Sequence, residues 1–441
     1  MNIVRIPEFG RIPITPGNRK MLERLKVFDC THARQNNGLQ IFDWNNINYV
    51  SAINYVGVVH VPGLTIEILP KIDKNRIFED NRKADLSQNN LLYMLSITRR
   101  IPIRERDLAP LRLHKMPLLE ALISIFLRRL LDELVIGMDH AYIRQEENSF
   151  FVKGKLLICE QLKKNLYHRE RSYIEYDDYI SDTWLNRILK ATCNRLLQIT
   201  QNQTVKNLIY NSFSYFQLVE DHEIEEYHFD KVQFTRNNER YLPLLEFCRI
   251  FLRDNSPVPG YGGNNTFSLL FPMDRLFEEF VAEFIYKYAS HLEIRRKAIH
   301  KQSVGKRKWL LKRQTSDGKA VGKFRLKPDI VVDAGADGID FVLDTKWKHL
   351  LSDDEDSKNG VSQADIYQLY AYANSYDCNN NILLFPEVSN VSAKTYRIDG
   401  DKEKLIRIEF LNLNRDIQKT RKETLDELKS ILEKNRGAGK K

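Results

Sequence analysis

Leu326-Lys-Pro-Asp-Ile-Val-Val-Asp-Ala-Gly-Ala-Asp-Gly-Ile-Asp-Phe-Val-Leu-Asp-Thr-Lys-Trp-Lys348 carries two short apolar runs, rich in β-branched residues, on either side of a Gly/Asp/Ala-rich turn. Residues 330–332 and 341–343 predict the arms of a β-hairpin, with residues 334–338 as its turn. Asp329 opens the first arm and Asp344 closes the second. Lys346 lies two residues beyond Asp344, and strand alternation turns both side chains to the same face. Two carboxylates and an ammonium can therefore converge at one end of the hairpin. Hard divalent cations take oxygen ligands, usually one or two protein carboxylates completed by substrate phosphate and water. A cation held there polarises a phosphoryl oxygen and acidifies bound water, while a neighbouring lysine orients or deprotonates that water and steadies developing charge. This equipment suits phosphodiester hydrolysis. On these residues alone, a surface hairpin with ordinary solvated charges stays open as the other reading.

Two flanking segments add to the pattern. Upstream, Met273-Asp-Arg-Leu-Phe-Glu-Glu-Phe-Val-Ala-Glu-Phe-Ile285 places Leu276, Phe277, Phe280, Val281 and Phe284 at helical spacing. Either Glu278 or Glu279 on that helix could reach a metal, and both could equally be solvated helix charges. Downstream, Ala364-Asp-Ile-Tyr-Gln-Leu-Tyr-Ala-Tyr-Ala373 is a second helical run, on which Gln368 and Tyr372 are four residues apart and share a face.

Taken in order, the helical Glu, Pro328-Asp329, Asp344-Thr345-Lys346 and Gln368-x-x-x-Tyr372 resemble the PD-(D/E)-x-K nuclease motif in its RecB-like branch. Outside that core, Leu64 to Ile72, the turn at Val152-Lys-Gly-Lys-Leu156, Asp182 to Lys190 and Met273 to Val281 resemble segments found in the same order in the McrC family, the endonuclease subunits of McrBC-type restriction systems. The resemblance spans nearly the whole chain. It implies an α+β fold with an N-terminal β-rich module, a helical middle region and a C-terminal α/β nuclease domain built on a mixed central sheet. It also implies a Mg²⁺ site, with Mn²⁺ as the other candidate, held by Asp329, Asp344 and a helical acid, for which Glu278 is preferred to Glu279. In that scheme Lys346 orients or activates the attacking water, and Gln368 and Tyr372 position the metal shell or the DNA backbone. The implied partners are double-stranded DNA containing modified cytosine, 5-methylcytosine in particular, and a hexameric AAA+ ring of the McrB kind. That ring binds and hydrolyses GTP and docks the N-terminal part of this chain. A different class of function, an adaptor that activates a ring NTPase and uses a nuclease-like domain only to hold DNA, makes opposite predictions about metal-dependent strand scission.

Composition agrees with a DNA partner. The chain has 441 residues, 42% of them hydrophobic, and a formal net charge of +9, which suits association with an acidic polymer. Its cysteines, at positions 30, 159, 193, 248 and 378, are odd in number and scattered without a Cys-x-x-Cys pair. Neither a disulfide framework nor a zinc site follows, and a reducing, cytoplasmic setting is expected. Met1 to Arg11 lacks the basic start and apolar core of a secretory leader. The most apolar helix, about residues 117–137, is interrupted by Glu120, Arg128, Arg129, Asp132 and Glu133 and is not expected to span a membrane. The phosphate-loop pattern G-x-x-x-x-G-K-[S/T] is absent from the sequence, so GTP would be bound by the partner.

Along the chain, residues 1–73 read as a mostly β module. One strand is expected to run from Tyr49 to Val61 and a second from Leu64 to Leu69, with a charged loop over residues 73–89. Residues 90–253 read as mainly helical, with a hairpin over residues 144–156 turning at Lys153-Gly154, and with Tyr173 to Asp178 as an acidic, aromatic lead into a helix over residues 183–201. The Pro/Gly/Asn cluster at residues 253–265 marks a boundary, residues 267–435 the nuclease domain and residues 436–441 a disordered tail. Lys163, Lys164, His168, Arg169 and Arg171 with Tyr167 and Tyr173 make a basic, aromatic patch suited to phosphates or a partner ring, and equally to solvent. The basic run Arg295 to Arg313 suits contacts to a DNA backbone, with a solvated basic loop as the alternative.

Overall fold

The computed structural model describes residues 2–35, 40–71, 77–78, 80–109, 116–252, 266–314, 320–335, 338–348, 350, 360–387 and 391–434. The chain forms an α+β fold in two compact units. One joins Met1–Leu118 to Ser268–Lys441, and the other is Leu119–Phe267, inserted between those halves. The expected boundary segment 253–265 and the tail 436–441 lie outside the described residues.

In the first unit, the hairpin Tyr55–Val61 and Leu64–Leu69 sits at the centre of a four-stranded sheet, with Asn2–Pro7 parallel to Leu64–Leu69 and Phe267–Pro272 at the far edge. Gly57 makes that far edge possible. Its φ is +137°, and a Cβ there would fall 1.9 Å from the Leu269 carbonyl oxygen, so only glycine lets the two backbones approach. The strand expected to run unbroken from Tyr49 is two strands. Tyr49–Ala52 belongs to a separate small sheet with Arg11–Pro13 and Phe42–Asp43. The N-terminal module also contains a helix, Arg19–Gln35, whose Leu22, Leu25 and Phe28 pack with Phe42, Val50, Val59 and Ile66.

Of the loop expected over residues 73–89, residues 73–76 and 79 lie outside the described residues, and residues 81–89 are instead the start of a helix, Asn81–Thr98, capped by the Asp80 carboxylate accepting from Arg82 N. It buries polar residues that bond far along the chain. Ser87 donates to the Pro70 carbonyl at 2.5 Å, and the Asn90 amide donates to the carbonyls of Leu413 and Arg415 at 2.9 Å.

The second sheet of this unit has six strands in the order Ile299–Lys301, Ile330–Gly335, Gly338–Thr345, Asn380–Pro386, Asp401–Leu411, Lys394–Ile398. The quoted hairpin forms as expected, pairing Ile330 with Leu343 and Val332 with Phe341. Gly338–Thr345 then runs parallel to Asn380–Pro386, and that strand parallel to Asp401–Leu411, so the sheet is mixed. Helix Gln363–Tyr376 makes the crossover between the first parallel pair, as parallel neighbours require. Helix Arg421–Glu433 is fastened to the sheet by the fully buried Arg407. Its guanidinium donates to Glu409 at 2.5 Å, to Asn380 Oδ1 at 3.0 Å and to the Ile431 carbonyl at 2.8 Å. A buried ion pair of this kind tolerates burial because its remaining donors are satisfied. The basic run after Arg295 is not a loop throughout. Lys308–Gln314 pairs antiparallel with Ala320–Leu326 in a separate two-stranded ribbon.

In the inserted unit, helix Trp184–Ile199 is capped by Thr183 and buries Leu185, Ile188, Leu189, Cys193 and Leu196, while Phe247 stacks on Phe251 and Phe126 meets both at a steep angle, with ring centroids no more than 6.0 Å apart. The expected hairpin over residues 144–156 does not form. Ala141–Ser149 and Lys155–Leu156 both pair with Ser172–Ile180, which is a strand and not an irregular lead into the helix. No helix among the described residues is long and apolar enough to cross a membrane.

Candidate active site

The antiparallel register Ile330–Leu343 places Asp329 and Asp344 beside each other at one end of the hairpin. Both are buried, Asp344 to within 1% and Asp329 to within 9% of full burial. Asp329 Oδ2 accepts from Thr345 twice, from its amide at 2.6 Å and from its hydroxyl at 2.7 Å. Asp344 Oδ2 lies 2.6 Å from Lys346 Nζ in a close, largely buried ion pair. The lysine continues a chain of contacts. Lys346 Nζ donates to Gln368 Oε1 at 3.3 Å, and Gln368 Nε2 donates to Tyr372 Oη at 2.6 Å. The i, i+4 pair on helix Gln363–Tyr376 therefore meets the Asp-x-Lys strand directly.

The two helical acids part company. Glu279 is engaged by the guanidinium of Arg100, with Nε 2.6 Å from one carboxylate oxygen and a second bond to the other. Glu278 accepts from Gln302 Nε2 at 3.0 Å, and both helical acids line, with Asp329, a cleft of about 380 Å³ whose walls include Glu283, Lys301 and Gln302. The Glu278 charge reaches both aspartates. Burial first, then the charges of Asp344 and Glu278, hold the Asp329 carboxyl well above the usual range against the opposing bonds from Thr345. Burial also raises Asp344, opposed by Lys346 and reinforced by Glu278 and Asp365. Burial, the largest single effect, would lower the Lys346 ammonium, but the charge and hydrogen bond of Asp344 together with the charges of Asp329 and Asp365 outweigh it and the net shift is upward. Tyr372 is pushed up by burial, with the Asp344 charge adding to it.

Among the described residues no three His, Cys, Asp or Glu side chains are gathered tightly enough to hold a metal ion by themselves. The donor set nevertheless suits a hard divalent cation. Two adjacent buried carboxylates, with Glu278 adding to their negative charge and only the Lys346 ammonium beside them to offset it, favour a further positive charge. Such ions commonly use only one or two protein carboxylates.

Several contributors escaped sequence reasoning. Thr345 holds Asp329, Gln302 holds Glu278, and Lys348 pairs with Asp365 at 3.1 Å beside the site. Thr345 had a signal, its place between Asp344 and Lys346; Gln302 had none, since it comes from an edge segment far from either motif.

The model of the family described as McrBC 5-methylcytosine restriction system component matches residues 50–386, a span that encloses every residue from Glu278 to Tyr372. This chain belongs to that family. No curated protein matches this McrBC-family chain. Among solved structures, a chain from the Thermococcus gammatolerans tetradecameric assembly of McrB AAA+ hexamers with bound McrC is 19% identical. It aligns with a TM-score of 0.73 over 98% of this chain and 100% of that one. A chain from the Thermococcus gammatolerans McrBC complex, determined by cryo-EM, is 21% identical, with a TM-score of 0.56 over 65% of this chain and 88% of that one. At such identities the likeness establishes a shared fold.

Proposed function

We propose that this McrBC-family chain is the nuclease subunit of a modification-dependent restriction system. It hydrolyses DNA phosphodiester bonds with Mg²⁺ when assembled with a GTP-dependent AAA+ ring whose GTP hydrolysis it stimulates. The observation that carries the reading is the set Asp329, Asp344, Lys346, Gln368 and Tyr372, joined through Thr345 and drawn from the adjoining ends of two strands and from a helix inside the span matched by the family model. Asp329 and Asp344 would hold the cation, with Glu278 approaching from helix Met273–Lys287. When bound, the cation supplies Lewis acidity at the phosphoryl oxygen and lowers the pKa of a coordinated water.

The chain's own residues do the rest. Thr345 fixes one oxygen of Asp329 and so sets the direction of the other. Lys346 is a cation at neutral pH, since Asp344 keeps its pKa up. Its part is to orient water and to stabilise charge growing on the phosphate. Gln368 fixes that ammonium, and its own amide is fixed by the buried Tyr372 hydroxyl. Such a relay keeps the lysine within the small tolerance that positioning effects demand.

The test is cleavage of cytosine-methylated and unmethylated plasmid by the chain with its AAA+ partner, GTP and Mg²⁺, beside Asp344→Ala. Cutting confined to methylated plasmid and lost in the variant is expected. Faster GTP hydrolysis without cutting by the unaltered chain would instead favour the adaptor reading.

A further inference from the structure

The ribbon formed by Lys308–Gln314 and Ala320–Leu326 is unlike the rest of the first unit, because it buries almost nothing. A two-stranded ribbon with both faces in water is marginal by itself. Here it also exposes large apolar groups, Phe324 at 70%, Leu311 at 56% and Trp309 at 43%. Its described residues include Lys308, Lys312, Arg313, Lys323 and Arg325 and no acid. Among the described residues Lys308, Lys312, Arg313 and Lys323 form no ion pair, so no described carboxylate offsets their charge.

The ribbon is shaped rather than slack. Trp309 lies against Gly322, where a Cβ would fall 2.3 Å from the indole Cγ. Phe324 has a φ of 56°, a left-handed backbone conformation that an aromatic residue rarely adopts.

Its base is fastened to the candidate site. The Leu326 carbonyl accepts from Ser303 Oγ at 3.3 Å, and Arg325 donates to the carbonyl of Gln302, the residue that holds Glu278. Three residues beyond Leu326 the chain reaches Asp329. The base of the ribbon is thus tied to the same segment that holds Glu278 and runs directly into Asp329.

We propose that this ribbon is a DNA-binding arm. Its lysines and arginines contact phosphates beside the cleavage position, and Phe324 with its apolar neighbours inserts against the bases or sugars of a groove. The proposal rests on DNA being the substrate of the site. Charge complementarity selects duplex DNA as the occupant, because unpaired cations interleaved with apolar side chains match a phosphate backbone flanking an apolar groove floor. Two-stranded ribbons fit the major groove, and apolar wedges are a feature of minor-groove binders.

The experiment is fluorescence anisotropy of a short labelled duplex with the full chain, alone and with its ring partner, in EDTA across a salt series. EDTA makes the readout independent of cleavage. Lys308→Gln/Lys312→Gln/Lys323→Gln is expected to weaken binding about tenfold or more and to reduce the slope of log K against log salt by about 2–3, roughly 0.9 for each phosphate that is no longer neutralised. Phe324→Ala is expected to weaken binding several-fold with the slope unchanged. A benzophenone side chain at position 324, Phe324→p-benzoylphenylalanine, is expected to crosslink to the duplex. Unchanged affinity and slope in both variants, no binding by the unaltered chain, or a crosslink to a second copy or to the ring instead of DNA would each overturn the arm. A chain that cuts although its ribbon variants bind normally loses the arm alone. One that binds through the ribbon yet never cuts loses the nuclease reading alone.

Discussion

Asp329 and Asp344 are held above the usual carboxylate range by burial first, and the Asp344 charge adds to the effect at Asp329. An acid whose pKa is higher in the folded chain than in the unfolded one contributes stability that is fully present below the unfolded value, near 3.9 for aspartate. That contribution is lost as pH rises through the folded value. In EDTA the melting temperature is therefore expected to fall as pH is raised from mildly acid towards neutral. Asp344→Asn relieves repulsion with Asp329 but also removes the partner of Lys346, so the neutral-pH melting temperature is expected to stay within a few degrees of the unaltered chain's while cleavage is abolished. Mg²⁺ should raise the melting temperature of the unaltered chain and not of the variant, since a ligand of the folded state stabilises it by mass action. Scanning fluorimetry over a pH series, with EDTA or Mg²⁺, checks all of this. A variant whose melting temperature still rises with Mg²⁺ would remove Asp344 from the metal site.

At the level of elements, the N-terminal strand Asn2–Pro7 ends beside the candidate site. Glu8, fully buried, accepts from the indole of Trp347 at 2.6 Å, one residue after Lys346. Burial pushes Glu8 up to about 8, with the Trp347 bond opposing the rise. Its stabilising contribution is present below its ordinary value of 4.5 and lost as pH rises through about 8. Glu8→Gln keeps an acceptor for the indole, so it should flatten the alkaline part of the stability curve. It should also remove any change in Trp347 emission near pH 8, with Trp347→Phe as the spectroscopic control. An emission change that survives Glu8→Gln would assign the titration elsewhere. This bond was invisible in the sequence, because nothing in Pro7-Glu8-Phe9 points to a residue 339 positions away. The hairpin at residues 330–345 was legible since its arms are short, continuously buried runs rich in β-branched residues on either side of a Gly/Asp/Ala turn, and Gln368 with Tyr372 since helical spacing is local. The start of helix Asn81–Thr98 was not, because Ser87, Gln88 and Asn90 are buried polar residues satisfied by distant carbonyls, and hydrophobic periodicity does not register them. Strand Ser172–Ile180 was missed for a related reason. Its tyrosines and acids lie on a sheet that is largely solvent-facing, so no apolar alternation was needed.

For the whole molecule, the long-range hydrogen bonds and strand pairings favour one unit made from both ends of the chain over a series of domains. Asn90 bonds to Leu413 and Arg415, Glu8 to Trp347, and Phe267–Pro272 completes a sheet otherwise built from residues before 70. The inserted residues 119–267 leave and re-enter at anchored points. The Leu118 amide donates to the buried Glu67 carboxylate at 2.5 Å, and Ser268 lies on a strand of the same sheet as Glu67. Joining Leu118 to Ser268 through a short Gly/Ser linker should therefore leave a chain that melts in one cooperative transition and is stabilised by Mg²⁺. Residues 267–435 alone, the nuclease domain as sequence boundaries draw it, should fail to do so. Without Tyr55–Val61 the strand Phe267–Pro272 becomes an unpaired edge, and the Leu413 and Arg415 carbonyls are left without their donor, each a penalty that a marginally stable fold cannot absorb cheaply. Calorimetry of the two proteins with and without Mg²⁺ decides between the architectures. Cooperative, Mg²⁺-responsive melting of residues 267–435 alone, with the joined chain unfolded, would restore the sequential-domain view and make the N-terminal strands an accessory to the site.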